Sequence, residues 1–261
     1  MKNLYITLSF VALSFSLSAQ NKDTKAADKL FARFEYVDAV KAYQKLVENG
    51  KGDAYVYKQL ADANYNMFNS TEAVKWYAKA TESDQDAETY YRYAQMLKAN
   101  GKYEEAMGYI EQASSNPKAT SKEKYWRYRG DIYMNIAMDS VLSMKYANSF
   151  NEAVDSYTKA LEMSKDYVME IGAVVDNARR FEEGKAIAAY KASNTCGAAG
   201  HYDNLISTSK MFGVTDTIYV YYSGICHEAC GNLDKALANF KICADANYQA
   251  ADCYSRIGNM L

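Results

Sequence analysis

An alanine followed four residues later by a large apolar or aromatic side chain recurs along this chain at nearly constant spacing. The pattern occupies Phe34–Tyr43 (Ala39, Tyr43), Asn69–Tyr77 (Ala73, Tyr77), Gly101–Ile110 (Ala106, Ile110) and Asn232–Phe240 (Ala236, Phe240). A step of four is about one helical turn, so each pair lies on one face of a helix. Ala39, Ala73 and Ala106 are 34 and 33 residues apart. Self-similarity at such a period marks an array of stacked supersecondary units, each burying its apolar face only against its neighbour.

The other helix of each unit lies upstream. Twelve residues before Ala39, Ala73, Ala106 and Ala236 stand Ala27, Ala61, Ala94 and Gly224. Small residues at both points let two antiparallel helices approach closely, and the surrounding aromatics fill the remaining volume. The composition agrees. Pro117 is the only proline, there are 25 tyrosines, and Ala, Lys and Glu are plentiful, as suits long runs of helix. The expected fold is all-α, a solenoid of antiparallel helix hairpins.

The pitch, the small residue in the first helix, the Gly-x-Tyr-x-x-Ala turn at Gly101–Ala106 and the aromatic one turn on resemble the tetratricopeptide repeat (TPR) family. The likeness is strongest over Ala26–Pro117 and Thr217–Leu261. Between them the pitch is lost. Gly130 and Tyr133 begin a fourth unit, but its turn alanine, Ala153, arrives 23 residues after Gly130 instead of 12. The stretch Ile136–Phe150 is therefore expected to hold longer helices or an extra loop. Phe181–Tyr190, with Ala186, matches only approximately and reads as a further turn. Cys196-Gly-Ala-Ala-Gly200 reads as a break, followed by an atypical helix over Tyr202–Phe212. Ala251–Leu261 reads as the first helix of another unit, and its apolar end favours a fragment of a longer protein. The expected divisions are 1–19, 20–118 (regular units), 119–216 (stretched units) and 217–261 (a last unit and a final helix).

Residues 1–19 read as a secretory signal. Lys2 supplies the positive start, Leu4–Leu17 the apolar run, and Ser18-Ala19 the small residues before a cut that leaves Gln20 first. The expected location is extracytoplasmic. With 30 basic and 32 acidic residues the chain is close to neutral, which gives no reason to expect nucleic acid or an anionic membrane as partner.

Nothing in the sequence marks an enzyme or a cofactor site. There are two histidines, His201 and His227, and no phosphate-cradling loop or nucleophile motif. The carboxylate pairs Glu104/Glu105 and Glu182/Glu183 read as solvated helix starts in the turns between paired helices. Cys196, Cys226, Cys230, Cys243 and Cys253 all fall in the last 66 residues. In an exported chain they are candidates either for disulfides between neighbouring helices, with an odd thiol left over or paired externally, or for small buried residues in tight helix contacts. A metal site at Cys226, His227 and Cys230 is disfavoured, because His227 points about 100° around the helix from Cys226.

The TPR resemblance implies a concave groove lined by the first helices, taking peptides or partner proteins. Carried over position by position, its groove residues are Tyr55, Lys58, Asp62, Tyr65, Asn66, Tyr91, Gln95, Lys98, Arg127 and Asp131. Asp62 and Gln95 stand where chaperone-binding members need asparagines, so that activity is not expected. Ala26–Ala106 also resembles the N-terminal TPR region of OmpA-like outer-membrane proteins of Bacteroidota, which implies a periplasmic scaffold associated with the envelope. The alternative is a glycan-binding helical protein like the SusD-like nutrient-binding proteins, which the scarcity of tryptophan argues against.

Overall fold

The first helices of the three regular hairpins all end in the same way. The structure, a computed structural model, describes residues 23–84 and 86–261; the expected signal segment lies outside them. The described residues form fifteen helices. They divide into two compact units, one ending at Thr120 and one beginning at Ser121.

The first unit contains three hairpins: α1 (Lys25–Ala32) with α2 (Tyr36–Glu48), α3 (Ala54–Asn66) with α4 (Ser70–Thr81), and α5 (Ala87–Ala99) with α6 (Tyr103–Ser114). A short α7 (Pro117–Thr120) follows. Asp53 and Asn69 cap α3 and α4 by accepting the backbone N–H of Val56 and Glu72. In each hairpin turn one residue adopts a left-handed conformation, and the next N–H bonds a carbonyl five residues back. These are Glu35 to Leu30, Asn69 to Asn64 and Lys102 to Leu97. At Gly101 (φ 72°) the conformation costs a side chain nothing, but Phe34 (φ 63°) and Phe68 (φ 58°) adopt it with bulky rings. Phe68 is 94% exposed, so burial does not offset the strain. Phe68→Gly is expected to stabilise the first unit by about 0.5–1 kcal/mol, after the extra freedom of glycine in the unfolded chain is discounted. A higher urea midpoint with an unchanged slope is the expected reading.

The second unit begins with α8 (Glu123–Met138), a single-turn α9 (Leu142–Lys145) and α10 (Ser149–Met163). It continues through α11 (Val168–Lys191), α12 (Thr195–Met211), α13 (Thr217–Ala229), α14 (Leu233–Asp245) and α15 (Ala250–Met260). The eleven extra residues of the fourth hairpin go into both expected outlets. α8 has 16 residues where α3 and α5 have 13, and α9 sits in an added loop.

Two expectations fail here. Cys196–Gly200 is no break, because α12 runs through it. Asn194 caps that helix through the Gly197 N–H, and glycine and alanine in the opening turns leave enough apolar surface at Ala198, Ala199 and Leu205 to hold it. Nor do Glu182 and Glu183 open a helix. They lie in the middle of the 24-residue α11, whose turn comes instead at Ser193 (φ 58°). The Phe-Glu-Glu-Gly-Lys-Ala pattern imitates a turn, but Ile171, Val175, Ala178, Glu182 and Ala186 form a continuous buried stripe along α11 at steps of three and four.

The alanine–aromatic pattern is the core. Ala39, Ala73, Ala106, Ala153 and Ala236, and the one-turn partners Tyr43, Tyr77, Ile110, Tyr157 and Phe240, are all fully buried. The small residue of the opposite helix receives the large one. A Cβ added to Gly130 would lie 2.6 Å from the Tyr157 ring, and one on Gly224 2.9 Å from Phe240. No described helix is long and apolar enough to cross a membrane.

Candidate functional site

Within the first unit, hydrogen bonds tie each first helix to the next. Tyr55 Oη on α3 donates to Asp28 of α1 (3.0 Å), Arg92 Nη1 on α5 donates to Asp62 of α3 (3.1 Å), and Lys58 Nζ on α3 pairs with Asp86 before α5 (2.9 Å). These contacts place Tyr55, Lys58, Asp62, Tyr65, Asn66, Tyr91, Gln95 and Lys98 on two neighbouring helices. Arg127 and Asp131 lie on α8 of the second unit.

The ten positions are not equivalent. Asp62 and Tyr91 are buried. Asp62 accepts from Tyr77 Oη at 2.6 Å as well as from Arg92, whose other nitrogen bonds Glu88 at 2.6 Å. Burial alone would lower the Arg92 pKa, but the charges of Asp62 and Glu88 outweigh it and hold the guanidinium firmly protonated. The Arg92 guanidinium lies 5.6 Å from the Tyr65 ring centroid, and Asn66 donates to the Asp62 carbonyl. Tyr55 is the most open of the tyrosines among these positions, at 41% exposure, and burial together with the Asp28 bond pushes its phenol up to about 12. In the second unit the Arg127 guanidinium lies 4.2 Å from the Tyr167 ring and 4.9 Å from Tyr128, and bonds Glu123.

A polar lock recurs across the hairpins. Tyr43 donates to Asp28 (2.6 Å), Tyr77 to Asp62 (2.6 Å) and Tyr157 to Asp131 (2.9 Å). The donor is always the aromatic one turn beyond the core alanine. Burial, then the neighbouring aspartate, raises all three phenols well above the usual tyrosine value. Where Ile110 replaces tyrosine, Gln95 replaces aspartate, and the Gln95 Oε1 is buried without a hydrogen-bond partner. The lock was visible in the sequence as a 15-residue spacing, Asp28 to Tyr43 and Asp62 to Tyr77, that reading Asp62 as a groove residue overlooks. Installing it in the third hairpin by Gln95→Asp with Ile110→Tyr should give a favourable coupling of about 1 kcal/mol in a double-mutant cycle. A coupling near zero would assign the recurring geometry to packing alone.

Two carboxylates serve the same purpose in the second unit. Asp203 accepts from Ser223 (2.7 Å), His227 Nε2 (3.0 Å) and Lys235 (3.1 Å), tying α12 to α13 and α14. Glu182 accepts from His201 Nδ1 and Asn204 (both 2.8 Å) and from Lys185 (3.2 Å), tying α11 to α12. Burial pushes both carboxyls up, but the hydrogen bonds and positive partners outweigh it and hold them below the usual carboxylate range. Because the folded values are depressed, this stabilisation is present above the unfolded pKa near 4 and is lost as pH falls through the folded values. The second unit should therefore lose urea resistance below about pH 4. A Glu182→Gln, Asp203→Asn variant should show a flatter acid limb.

The cysteines pair once. Cys196, in the first turn of α12, is bonded to Cys230 at the end of α13, and Cys226, Cys243 and Cys253 are buried thiols. Three thiols thus remain as small buried residues. Among the described residues no group of three His, Cys, Asp or Glu is placed to hold a metal ion, and His227 is engaged by Asp203. The second unit also holds two open clefts, one of about 840 Å³ between α10 and α12 and one of about 430 Å³ beside α9.

Residues 54–86 and 87–117 match the profile of the tetratricopeptide repeat, so α3–α4 and α5–α6 are two such repeats. No curated protein matches the chain in sequence. Among solved structures the chain is similar to that of Pseudomonas aeruginosa pilF, at 16% identity and TM-score 0.43, over 94% of this chain and 98% of that one. It is similar to PilW, a widely conserved type IV pilus biogenesis factor, at 14% identity and TM-score 0.43, over 87% and 93%. It is also similar to the C-terminal part of a TPR repeat-containing protein from Cytophaga hutchinsonii, at 18% identity and TM-score 0.37, over 88% and 98%. At these values the likeness concerns the helical fold and says nothing of partners.

Proposed function

We propose that this chain, with two tetratricopeptide repeats at its regular end, is a protein–protein interaction scaffold exported to the envelope of a Gram-negative bacterium of the Bacteroidota type. It takes a peptide or a partner protein along the first helices of its hairpins. The observation that carries this reading is the finish of the α3–α5 surface. Its charges are already paired within the molecule, at Arg92 with Asp62 and Glu88 and at Lys58 with Asp86. Tyr55 and Tyr65 stand among them with surface left to offer. Tyrosines supply rigid contact area with a polar tip. Pre-paired charges help fix how a partner seats while leaving few ionic groups to be stranded when water is excluded. A pull-down from envelope extract should return a partner that is lost on Tyr55→Ala with Tyr65→Ala. Capture indifferent to both changes would contradict the groove.

Export rests on the apolar run Leu4–Leu17 behind Lys2 and on the disulfide, since such bonds persist in oxidising compartments. The mature protein is expected to begin at Gln20. Denatured without reductant it should show three titratable thiols, and five after reduction. An intact Met1 together with five thiols before reduction would contradict export.

A further inference from the structure

The eleven residues that lengthen the fourth hairpin build one wall of the smaller cleft. Asp139 accepts the backbone N–H groups of Val141 and Leu142, which turns the chain out of α8 and into α9. That turn brings Ser140, Ser143 and Met144 to one side of the 430 Å³ space, facing Phe181, Glu182, Lys185, His201 and Asn204 of α11 and α12. The volume is in the range of small-molecule pockets, and the lining joins apolar walls to a few convergent polar groups.

Glu182 is 3% exposed, and its two carboxylate oxygens are filled by three donors. It orients those donors and has little left for a ligand. What the polar side offers is donor capacity. The Lys185 ammonium spends one of its three protons on Glu182 and keeps two, while His201 donates Nδ1–H there, which leaves Nε2 of the neutral ring as an acceptor. Ser140, Ser143 and Ser149 add hydroxyls. Glu182 and Lys185 offset each other in charge, and the donors left over, the Lys185 protons and the serine hydroxyls, suit an acceptor such as a carboxylate. Phe150, Phe181 and Met144 supply the apolar lining; Met144 is 77% exposed at the rim, and the Phe181 ring holds the Lys185 ammonium 4.2 Å from its centroid.

We propose that this cleft binds a small organic acid, with its carboxylate on Lys185 and the serine hydroxyls beside His201 and its apolar body against Phe150, Phe181 and Met144. The site lies within the second unit and does not depend on the groove reading.

The two histidines make the test direct, because His227 is buried against Asp203 and is not part of the cleft lining. The full chain is titrated with phenylacetate and 4-phenylbutyrate, and separately with phenethylamine, while the two imidazole Cε1–H resonances are followed by NMR. The carboxylates should shift the His201 signal saturably and leave His227 in place, and the amine should shift neither. Lys185→Met should raise the apparent Kd at least tenfold, and Phe181→Ala should raise it as well. Circular dichroism checks that each variant is folded, and the wild-type comparison of acid with amine stands if either is not. No saturable shift with either carboxylate, an equal response to the amine, or wild-type affinity in a folded Lys185→Met variant would overturn the proposal.

Discussion

Gly130→Val is expected to cost the second unit about 2–3 kcal/mol, most of it from overpacking. The first atom added would stand 2.6 Å from the Tyr157 ring, and the ring cannot withdraw. Its hydroxyl is fixed on Asp131 at 2.9 Å, and Ala153 and Ala160 of the same helix lie buried beside it. A β-branched residue is otherwise tolerable in a helix, so the loss measures the closeness of α8 to α10. Urea unfolding should show a lower midpoint for the second unit alone. Releasing the ring tests the cause: Tyr157→Ala in the Gly130→Val background should cost less than Tyr157→Ala in the wild type. Additive losses would mean that valine does its damage elsewhere.

Breaking the Cys196–Cys230 bond is the second large effect. The bond closes a loop spanning a sequence separation of 34 residues, and the chain-entropy relation for a loop of that length gives about 3–4 kcal/mol. Cys196→Ser with Cys230→Ser should lower the stability of the second unit by up to that amount, and reductant should leave the variant unaffected while destabilising the wild type. The bond ties the start of α12 to the end of α13, where the regular pitch has been lost and glycines at 197 and 200 weaken the helix start. It supplies order where the repeat pattern does not. Equal stability of wild type and variant would mean that the Asp203 cluster already holds these helices.

What was legible in the sequence follows from the same physics. The alanine and its aromatic partner one turn on announce both helix and packing, because only a small residue opposite a large one lets two helices meet. Positions 39, 73, 106 and 236 therefore mark the core correctly. The middle was not legible, for a local reason. Phe181-Glu-Glu-Gly-Lys-Ala186 has the composition of a turn and a new helix start, and only the long buried stripe from Ile171 to Ala186 reveals an uninterrupted helix. Glu182 was misplaced with it: a carboxylate read as solvated proves to be the buried hub of α11 and α12. The groove positions were located by resemblance. That procedure cannot tell Tyr55, which keeps an open face, from Tyr91, which does not, because the difference depends on how neighbouring hairpins cover each helix. The disulfide partners were likewise undecided by spacing, since Cys196 lies in a stretch read as a break.

If the first helices of the regular repeats receive a partner protein, a probe on that face must touch it. The most direct measurement places a photo-crosslinking amino acid at Tyr55 on α3, or at Lys75 on α4, a second helix of the same hairpin whose side chain is 62% exposed. Each variant is irradiated in the cells that make the protein. A discrete crosslinked species is expected from position 55 and none from position 75. The same species from both positions, or from position 75 alone, would contradict the groove.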